Sequence, residues 1–151
     1  MPVGIGYDSH RFAEGRRLVL GGVEIEHELG LTGHSDADVL THAVIDALLG
    51  AAGGGDIGTL FPDDDERWRD ADSLDLLRTA VGTIAGRIVN VDATVVCERP
   101  RLEGHKAEME RVLAEATSAR VSVKATTNEG MGWIGRGEGI ACIAVAFVDS
   151  D

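Results

Sequence analysis

Ile140-Ala-Cys-Ile-Ala-Val-Ala-Phe-Val148 is the stretch of sequence that decides the fold. Alternate side chains of a strand point to opposite faces of a sheet, and this segment is apolar at both alternations, which predicts a strand buried on two sides. In a two-layer domain, helices cover one face of such a strand, and the other face needs a further layer. A partner subunit is one candidate for that layer, and the chain itself is the other.

The remaining sequence alternates shorter strand-like runs with amphipathic helical segments. Apolar residues recur every three or four positions from Asp38 to Ala52, which predicts a helix. A second helix is predicted from the N-cap Asp72 to about Arg87, and a third over residues 104–117. The other strands are predicted at residues 3–12, 18–25, 88–98 and 121–126, with Val89, Val91, Ala93, Val95 and Cys97 on one face of the third, and residues 53–66 form a loop. With no repeat or linker, one domain spanning residues 1–151 is expected.

The composition excludes several classes of partner. A chain of 151 residues with 44% hydrophobic residues can bury the core of one domain. Its formal net charge of −12 repels nucleic acid and anionic membranes, so a phosphorylated substrate would need metal ions and a few basic groups. Cys97 and Cys142 lie in apolar runs and are expected to be buried thiols. Without a signal peptide or an apolar run of about 20 residues, a cytoplasmic location is expected.

Three side chains in the first third of the chain form a candidate metal site. Asp8 and His10 stand two apart in a predicted strand and project from one face, and His42 on the first helix could complete the set. Two histidines and one carboxylate leave the fourth position of tetrahedral zinc open, as in catalytic sites. Asp38 and Asp46, one turn either side of His42, could orient its imidazole or receive hydrogen bonds near it. The competing interpretation is a helix histidine that is merely solvated or hydrogen-bonded.

Two further polar segments suggest contacts with phosphate. Gly33-His-Ser-Asp36 lacks the Gly-x-Ser-x-Gly elbow of a nucleophilic serine, so His34 and Ser35 are interpreted as hydrogen-bond donors to phosphate oxygens. Lys124-Ala-Thr-Thr-Asn-Glu129 places hydroxyls and a carboxylate at a strand end, where they could hold a diphosphate with magnesium. Ordinary polar loops remain the alternative for both segments.

The stretch Gly130-Met-Gly-Trp-Ile-Gly135 matches the Gly-x-Gly-x-x-Gly pattern of dinucleotide-binding proteins. A dinucleotide fingerprint must open a helix that receives the pyrophosphate, whereas Arg136-Gly-Glu-Gly139 leads into another strand. These glycines are therefore expected to serve a tight turn of the backbone.

The motifs that carry chemistry occur in order over nearly the whole chain. They are Asp8-Ser-His10, Gly33-His-Ser-Asp-Ala-Asp38, His42, Asp56-Ile-Gly58, Leu60-Phe-Pro-Asp63, Lys124-Ala-Thr-Thr127, Glu129 and Gly135-Arg-Gly-Glu-Gly139. This set resembles the 2-C-methyl-D-erythritol 2,4-cyclodiphosphate synthase family. The resemblance implies an α+β fold whose mixed β-sheet packs against helices on one face and against neighbouring subunits of a homotrimer on the other, with active sites between subunits.

The same resemblance implies a reaction and its cofactors. In this family 4-diphosphocytidyl-2-C-methyl-D-erythritol 2-phosphate closes on itself, its 2-phosphate attacking the β-phosphate, to give 2-C-methyl-D-erythritol 2,4-cyclodiphosphate and CMP in non-mevalonate isoprenoid synthesis. The implied cofactors are one Zn²⁺ per subunit and a Mg²⁺ or Mn²⁺ ion.

Residue roles follow from the resemblance as well. It assigns zinc to Asp8, His10 and His42, magnesium to Glu129, and transition-state stabilisation to His34 and Thr127. Substrate contacts are implied for Asp8, His10, His34, Ser35, Thr127, Glu129, Trp133 and Arg136, for Asp56, Gly58, Phe61, Asp63 and Asp65 at the methylerythritol phosphate, and for Pro100, Arg101, Leu102, Ala125 and Thr126 at the cytidine. Arg136 and Glu138 match residues near the trimer axis, where the family can hold an isoprenoid diphosphate.

Two other functions share these features. A metal-dependent phosphohydrolase would use the same ligands to deliver water to phosphorus, and a non-catalytic trimeric metal-binding module would use them to stabilise an interface. The products formed from the substrate separate these possibilities.

Overall fold

A computed structural model describes residues 2–150, so the two ends of the expected 1–151 domain lie outside the described residues. A mixed sheet of five strands forms its centre, in the order β4-β1-β7-β5-β6, and β2 and β3 form a separate hairpin. The strands are β1 (Val3–Ala13), β2 (Leu18–Leu20), β3 (Val23–Ile25), β4 (Gly30–Leu31), β5 (Arg87–Val96), β6 (Arg120–Thr126) and β7 (Gly139–Asp149). Among the paired strands of residues 2–150, only β5 and β6 run parallel.

Helices cover one face of the sheet. They are α1 (Val39–Ala52), α2 (Ile57–Leu60), α3 (Ser73–Thr83), α4 (Lys106–Thr117) and α5 (Gly132–Gly135). The helix α1 packs on β1 and β7, α4 packs on β6, and α3 contacts both of these helices. None of the helices within residues 2–150 is both long and apolar enough to cross a membrane.

The closest approach between sheet and helix is made by two glycines of β1. A Cβ atom at Gly4 or Gly6 would overlap the backbone carbonyl of Ala47 or Ala43 on α1. Glycine therefore lets β1 lie directly against α1, because it has no side chain to hold the backbones apart. The same contact brings the far end of β1, which carries Asp8 and His10, beside α1.

The predicted elements are confirmed, with three differences of detail. The second helix ends at Thr83 rather than near Arg87. The loop predicted at residues 53–66 and the turn predicted at residues 130–135 contain the short helices α2 and α5. A bulge between Ile88 and Asn90 shifts the register of β5. Because the bulge inserts one extra residue, the residues before it point to the opposite side of the sheet from the one predicted. Ile88 is therefore buried instead of Val89.

The central strand β7 is buried on only one face. Cys142, Ala144, Ala146 and Val148 lie under the helices, fully enclosed. On the other face, Val3, Ile5, Tyr7, Ile143 and Val145 expose 40–70% of their surface and form an outer apolar strip across β1 and β7. The alternative in which the chain covers its own central strand is therefore wrong for residues 2–150.

Candidate active site

The adjacent ends of β1 and α1 bring three predicted metal ligands together. Asp8 and His10 project from the same face of β1, as expected from their spacing, and His42 reaches them from α1. His10 Nε2 lies 2.8 Å from Asp8 Oδ2, and His42 Nδ1 lies 3.2 Å from the same oxygen. One ligand atom from each residue falls within 4.8 Å of the others. The tertiary fold therefore supplies the convergence that the spacing alone could not.

A hydrogen bond to the backbone decides which nitrogen of His10 faces this centre. His10 Nδ1 lies 2.9 Å from the carbonyl oxygen of Thr32, which can only accept, so this nitrogen carries the proton. His10 Nε2 then presents a lone pair to the carboxylate, and it is buried without a hydrogen-bond partner. A metal ion bound between these two atoms would satisfy both of them.

The donor set fits zinc. Tetrahedral ligands about 2.0–2.1 Å from zinc stand roughly 3.3 Å apart, close to the separations at Asp8. Burial raises the pKa of Asp8, but the adjacent imidazoles of His10 and His42 outweigh burial and hold the pKa below its usual value. Burial lowers the pKa of His42, and the Asp8 carboxylate reverses that effect and raises it. Both shifts thus favour an ionised Asp8 carboxylate beside the two imidazoles.

Ser35, and neither Asp38 nor Asp46, contacts the Nε2 atom of His42, and Asp38 takes the other expected role of receiving hydrogen bonds near the imidazole. His42 Nε2 lies 3.0 Å from Ser35 Oγ. The fully buried Asp38 carboxylate instead accepts hydrogen bonds near the imidazole, from Gly21 N, Gly22 N, Thr41 N, Thr41 Oγ1 and Ser73 Oγ. Asp46 accepts one from Ile57 N at the start of α2. Both aspartates therefore anchor loops around α1, and the serine holds the ring.

The metal cluster lines a cavity of about 350 Å³. The predicted site residues on its wall are Asp8, His10, His34, Ser35, His42, Gly58, Phe61 and Asp63. Tyr7, Ile57, Trp68 and Leu76 also line it and had no signal in the sequence, because apolar side chains at a cavity follow the same pattern as those in a core. The cavity combines a metal-binding wall with an apolar one, which suits a phosphorylated molecule with a small carbon skeleton.

Two predicted substrate contacts, Asp56 and Asp65, lie outside this cavity wall. Asp56 caps α2 by accepting hydrogen bonds from Thr59, which lower the pKa of Asp56. Asp65 forms an ion pair with Arg67 at 2.6 Å, and hydrogen bonds from Arg67 lower the pKa of Asp65. Both carboxylates thus have local partners that compete with a direct substrate contact.

A second cavity, of about 420 Å³, collects the residues predicted to contact cytidine. Arg101, Leu102, Ala125, Thr126 and Thr127 line it, together with Cys97, Glu98, Arg99 and Glu103, which the sequence had not indicated. Pro100, joined to Arg99 by a cis peptide bond, lies between the lining residues Arg99 and Arg101 but is not on the wall. The two cavities share no lining residue. Within one chain, the three candidate metal ligands are therefore separated from the residues predicted to contact cytidine.

The remaining predicted residues lie on the surface outside both cavities. Glu129 is exposed and has a left-handed backbone, with φ of 55°. Trp133 on α5 exposes 37% of its surface. Arg136 Nε donates to Glu138 Oε2 at 2.7 Å. Within one chain, none of these three residues lines the cavity that holds Asp8, His10 and His42.

Comparisons with known proteins agree with one another. Residues 1–149 match the YgbB family model. A relative from Rubrobacter xylanophilus, named 2-C-methyl-D-erythritol 2,4-cyclodiphosphate synthase, is 59% identical over 97% of this chain and 94% of its own length. The solved bifunctional IspDF of Campylobacter jejuni has a TM-score of 0.91 and 43% identity, covering 96% of this chain and 41% of that protein. A solved 2C-methyl-D-erythritol-2,4-cyclodiphosphate synthase with bound CDP has a TM-score of 0.87 and 36% identity, covering 97% and 99% of the two chains.

Proposed function

The chain belongs to the YgbB family, and from that membership we propose that it converts 4-diphosphocytidyl-2-C-methyl-D-erythritol 2-phosphate into 2-C-methyl-D-erythritol 2,4-cyclodiphosphate and CMP. It is an enzyme of isoprenoid synthesis, a lyase that forms a ring by breaking a phosphorus-oxygen bond. The observation that carries this conclusion is the convergence of Asp8, His10 and His42 on the wall of the 350 Å³ cavity. The YgbB match supports one catalytic domain over residues 1–151.

The reaction is intramolecular, so the protein has chiefly to position groups and neutralise charge. An oxygen of the substrate's 2-phosphate forms a bond to the β-phosphorus, and the bond from that phosphorus to the oxygen of CMP breaks. Holding the two ends of one molecule together removes most of the entropic barrier of such a step. Phosphoryl transfer of this kind needs little covalent chemistry from the enzyme.

Zinc bound by Asp8, His10 and His42, and Mg²⁺ or Mn²⁺ bound by Glu129, would supply Lewis-acid stabilisation of phosphate charge. The imidazole of His10, held by Thr32, and that of His42, held by Ser35, are oriented for such binding before substrate arrives. His34 on the cavity wall would donate a hydrogen bond to phosphate oxygens. Thr127 would do the same from the second cavity.

The two cavities divide the substrate between them. The cavity beside zinc would take the methylerythritol phosphate, with Phe61 and the apolar wall against its carbon skeleton. The second cavity would take cytidine, with Arg101, Ala125 and Thr126 as contacts, and the CDP-bound relative supports a nucleotide ligand. Asp56 and Asp65 would reach the substrate only by releasing their local partners.

A complete site then requires more than one subunit. We propose a homotrimer in which the outer apolar strip of each chain is covered by its neighbours. The strip's exposed valine, isoleucine and tyrosine side chains support this, since such a surface is costly in water. The separation of the two cavities within one chain supports active sites between subunits. Trp133, Glu129 and Arg136 would join the substrate there, and Arg136 with Glu138 would face an isoprenoid diphosphate at the axis.

The buried, unpaired thiols of Cys97 and Cys142 fit the reducing cytoplasm, which is the location we propose.

The function is tested by phosphorus NMR of the protein incubated with substrate, zinc and magnesium, beside a chelated control. Metal-dependent formation of CMP and a cyclic diphosphate is the expected result. Release of inorganic phosphate would instead identify a phosphohydrolase, and unchanged substrate would point to a binding module.

A further inference from the structure

Glu98 connects the end of β5 to the loop that follows β6. Its Oε1 atom accepts hydrogen bonds from the backbone N–H groups of Asn128 and Gly130, both at 3.0 Å. These donors are 30 and 32 residues away in the sequence and immediately flank Glu129. The N–H of Glu129 itself donates to Thr127 Oγ1 at 3.2 Å. Side chains therefore hold all three consecutive amides of this loop.

The loop has a conformation that needs such support. Glu129 has φ of 55°, in the left-handed region that residues with a side chain seldom adopt. Such a backbone persists where the surroundings hold it in place. The two amides that converge on one Glu98 oxygen supply that restraint, on both sides of Glu129.

We propose that Glu98 is a positioning residue for the magnesium-dependent part of the reaction. By holding Asn128 and Gly130, it sets the backbone from which the Glu129 carboxylate and the Thr127 hydroxyl meet the diphosphate. This inference rests on the roles proposed above for Thr127 and Glu129. We assign the effect to the position of the accepting oxygen: both bonds end on Oε1, which a neutral amide oxygen could replace.

Three substitutions separate position from charge. Glu98→Gln keeps an accepting oxygen at the same reach but removes the charge. Glu98→Asp keeps the charge but is one methylene too short to reach the loop, and Glu98→Ala removes both. Glu110→Ala is the matched control, because Glu110 also accepts a backbone N–H, that of Val123 on β6, away from the loop.

The measurement is calorimetric titration of CDP into each zinc-loaded protein at increasing magnesium concentrations, with turnover followed separately. We expect the Ala and Asp variants to need about 10–100-fold more magnesium for half-maximal enhancement of CDP binding, the range seen when an outer support of a metal ligand is lost. Their zinc content and their assembly should match those of Glu110→Ala. Glu98→Gln should behave like the unmodified protein.

Each outcome decides the proposal. An unchanged magnesium requirement in Glu98→Asp overturns it, and so does a Gln variant as impaired as the Ala variant, because charge would then be the cause. If Glu98→Ala does not fold, the Asp and Gln variants still give the answer. CDP binding that responds to magnesium in a protein without cyclase turnover would contradict the proposed function and leave the role of Glu98 standing.

Discussion

The Nε2 atom of His42 lies 3.0 Å from the hydroxyl oxygen of Ser35, while its Nδ1 atom faces Asp8. Because Ser35 can accept the Nε2 proton, it favours the imidazole tautomer whose Nδ1 lone pair is free for zinc. Replacing Ser35 by alanine should therefore weaken zinc binding by about 10–100-fold. Competition with a zinc chelator measures this. Ser122→Ala, the same change on β6, should leave zinc affinity unchanged, and equal affinities in both variants would contradict the tautomer argument.

His42→Ala should lose zinc and nearly all cyclase activity, because the metal contributes several kcal/mol to stabilising phosphate charge. The fold of α1 should survive, since the residues that pack it on the sheet are untouched. Metal analysis, activity and circular dichroism test these points together. His27→Ala, which changes a histidine outside both cavities, is the control. Full zinc content in His42→Ala would refute the ligand assignment.

Asp38→Asn should lower the free energy of unfolding by about 1–3 kcal/mol, the cost of leaving a buried donor without an acceptor. The Asp38 Oδ2 atom accepts from Gly22 N and two hydroxyls, and an amide NH₂ in its place would face the Gly22 N–H. Asp46→Asn should cost much less, because its single bond to Ile57 N can be kept by the amide oxygen. Urea denaturation of both zinc-saturated variants compares them, and equal losses would count against this account.

Ile5→Asp should prevent assembly, because it places a charge in the middle of the outer apolar strip. The resulting monomer should still bind zinc, whose ligands come from one chain, and yet lack turnover, since its two cavities remain apart. Light scattering, zinc content and activity measure these three properties. Ala107→Asp, at an exposed position of α4, is the control. An active Ile5→Asp monomer would disprove the shared site.

Cys97 should be inert to thiol reagents in the folded protein at pH 8. Burial raises the pKa of the Cys97 thiol from 9.0 to about 12, and only the thiolate reacts.

The same pKa shift affects the stability of the fold. The unfolded thiol ionises above pH 9 while the folded one stays neutral, so stability is lost as pH rises from 9 towards about 12. The urea midpoint should consequently fall more steeply above pH 9 in the unmodified protein than in Cys97→Ala. Parallel curves would argue against a buried neutral thiol.

The elements with strong periodicity could be predicted from the sequence, and the site only in part. The predictions of the first helix and of the central strand are confirmed. Their apolar patterns are long, three turns in the helix and nine residues in the strand. The end of α3 and the register of β5 were missed, since a helix end and a bulge depend on packing with neighbouring strands. Two contacts could not be predicted from residue spacing. They are the contact of Ser35 with His42 and the hydrogen bond of Glu98 to the loop that follows β6.

By itself, the sequence determined which residues can do the chemistry: the Asp8 and His10 pair on one strand face, the histidine of the first helix, and the two-sided apolar strand. Short-range geometry is sufficient for these, because strand and helix periods place side chains on faces. Only the tertiary structure decided that α1 lies against β1 closely enough to bring Asp8, His10 and His42 together, and that the residues predicted to contact cytidine line a separate cavity. Those arrangements depend on long-range packing, in which two glycines of β1 remove the bulk that would otherwise separate strand and helix.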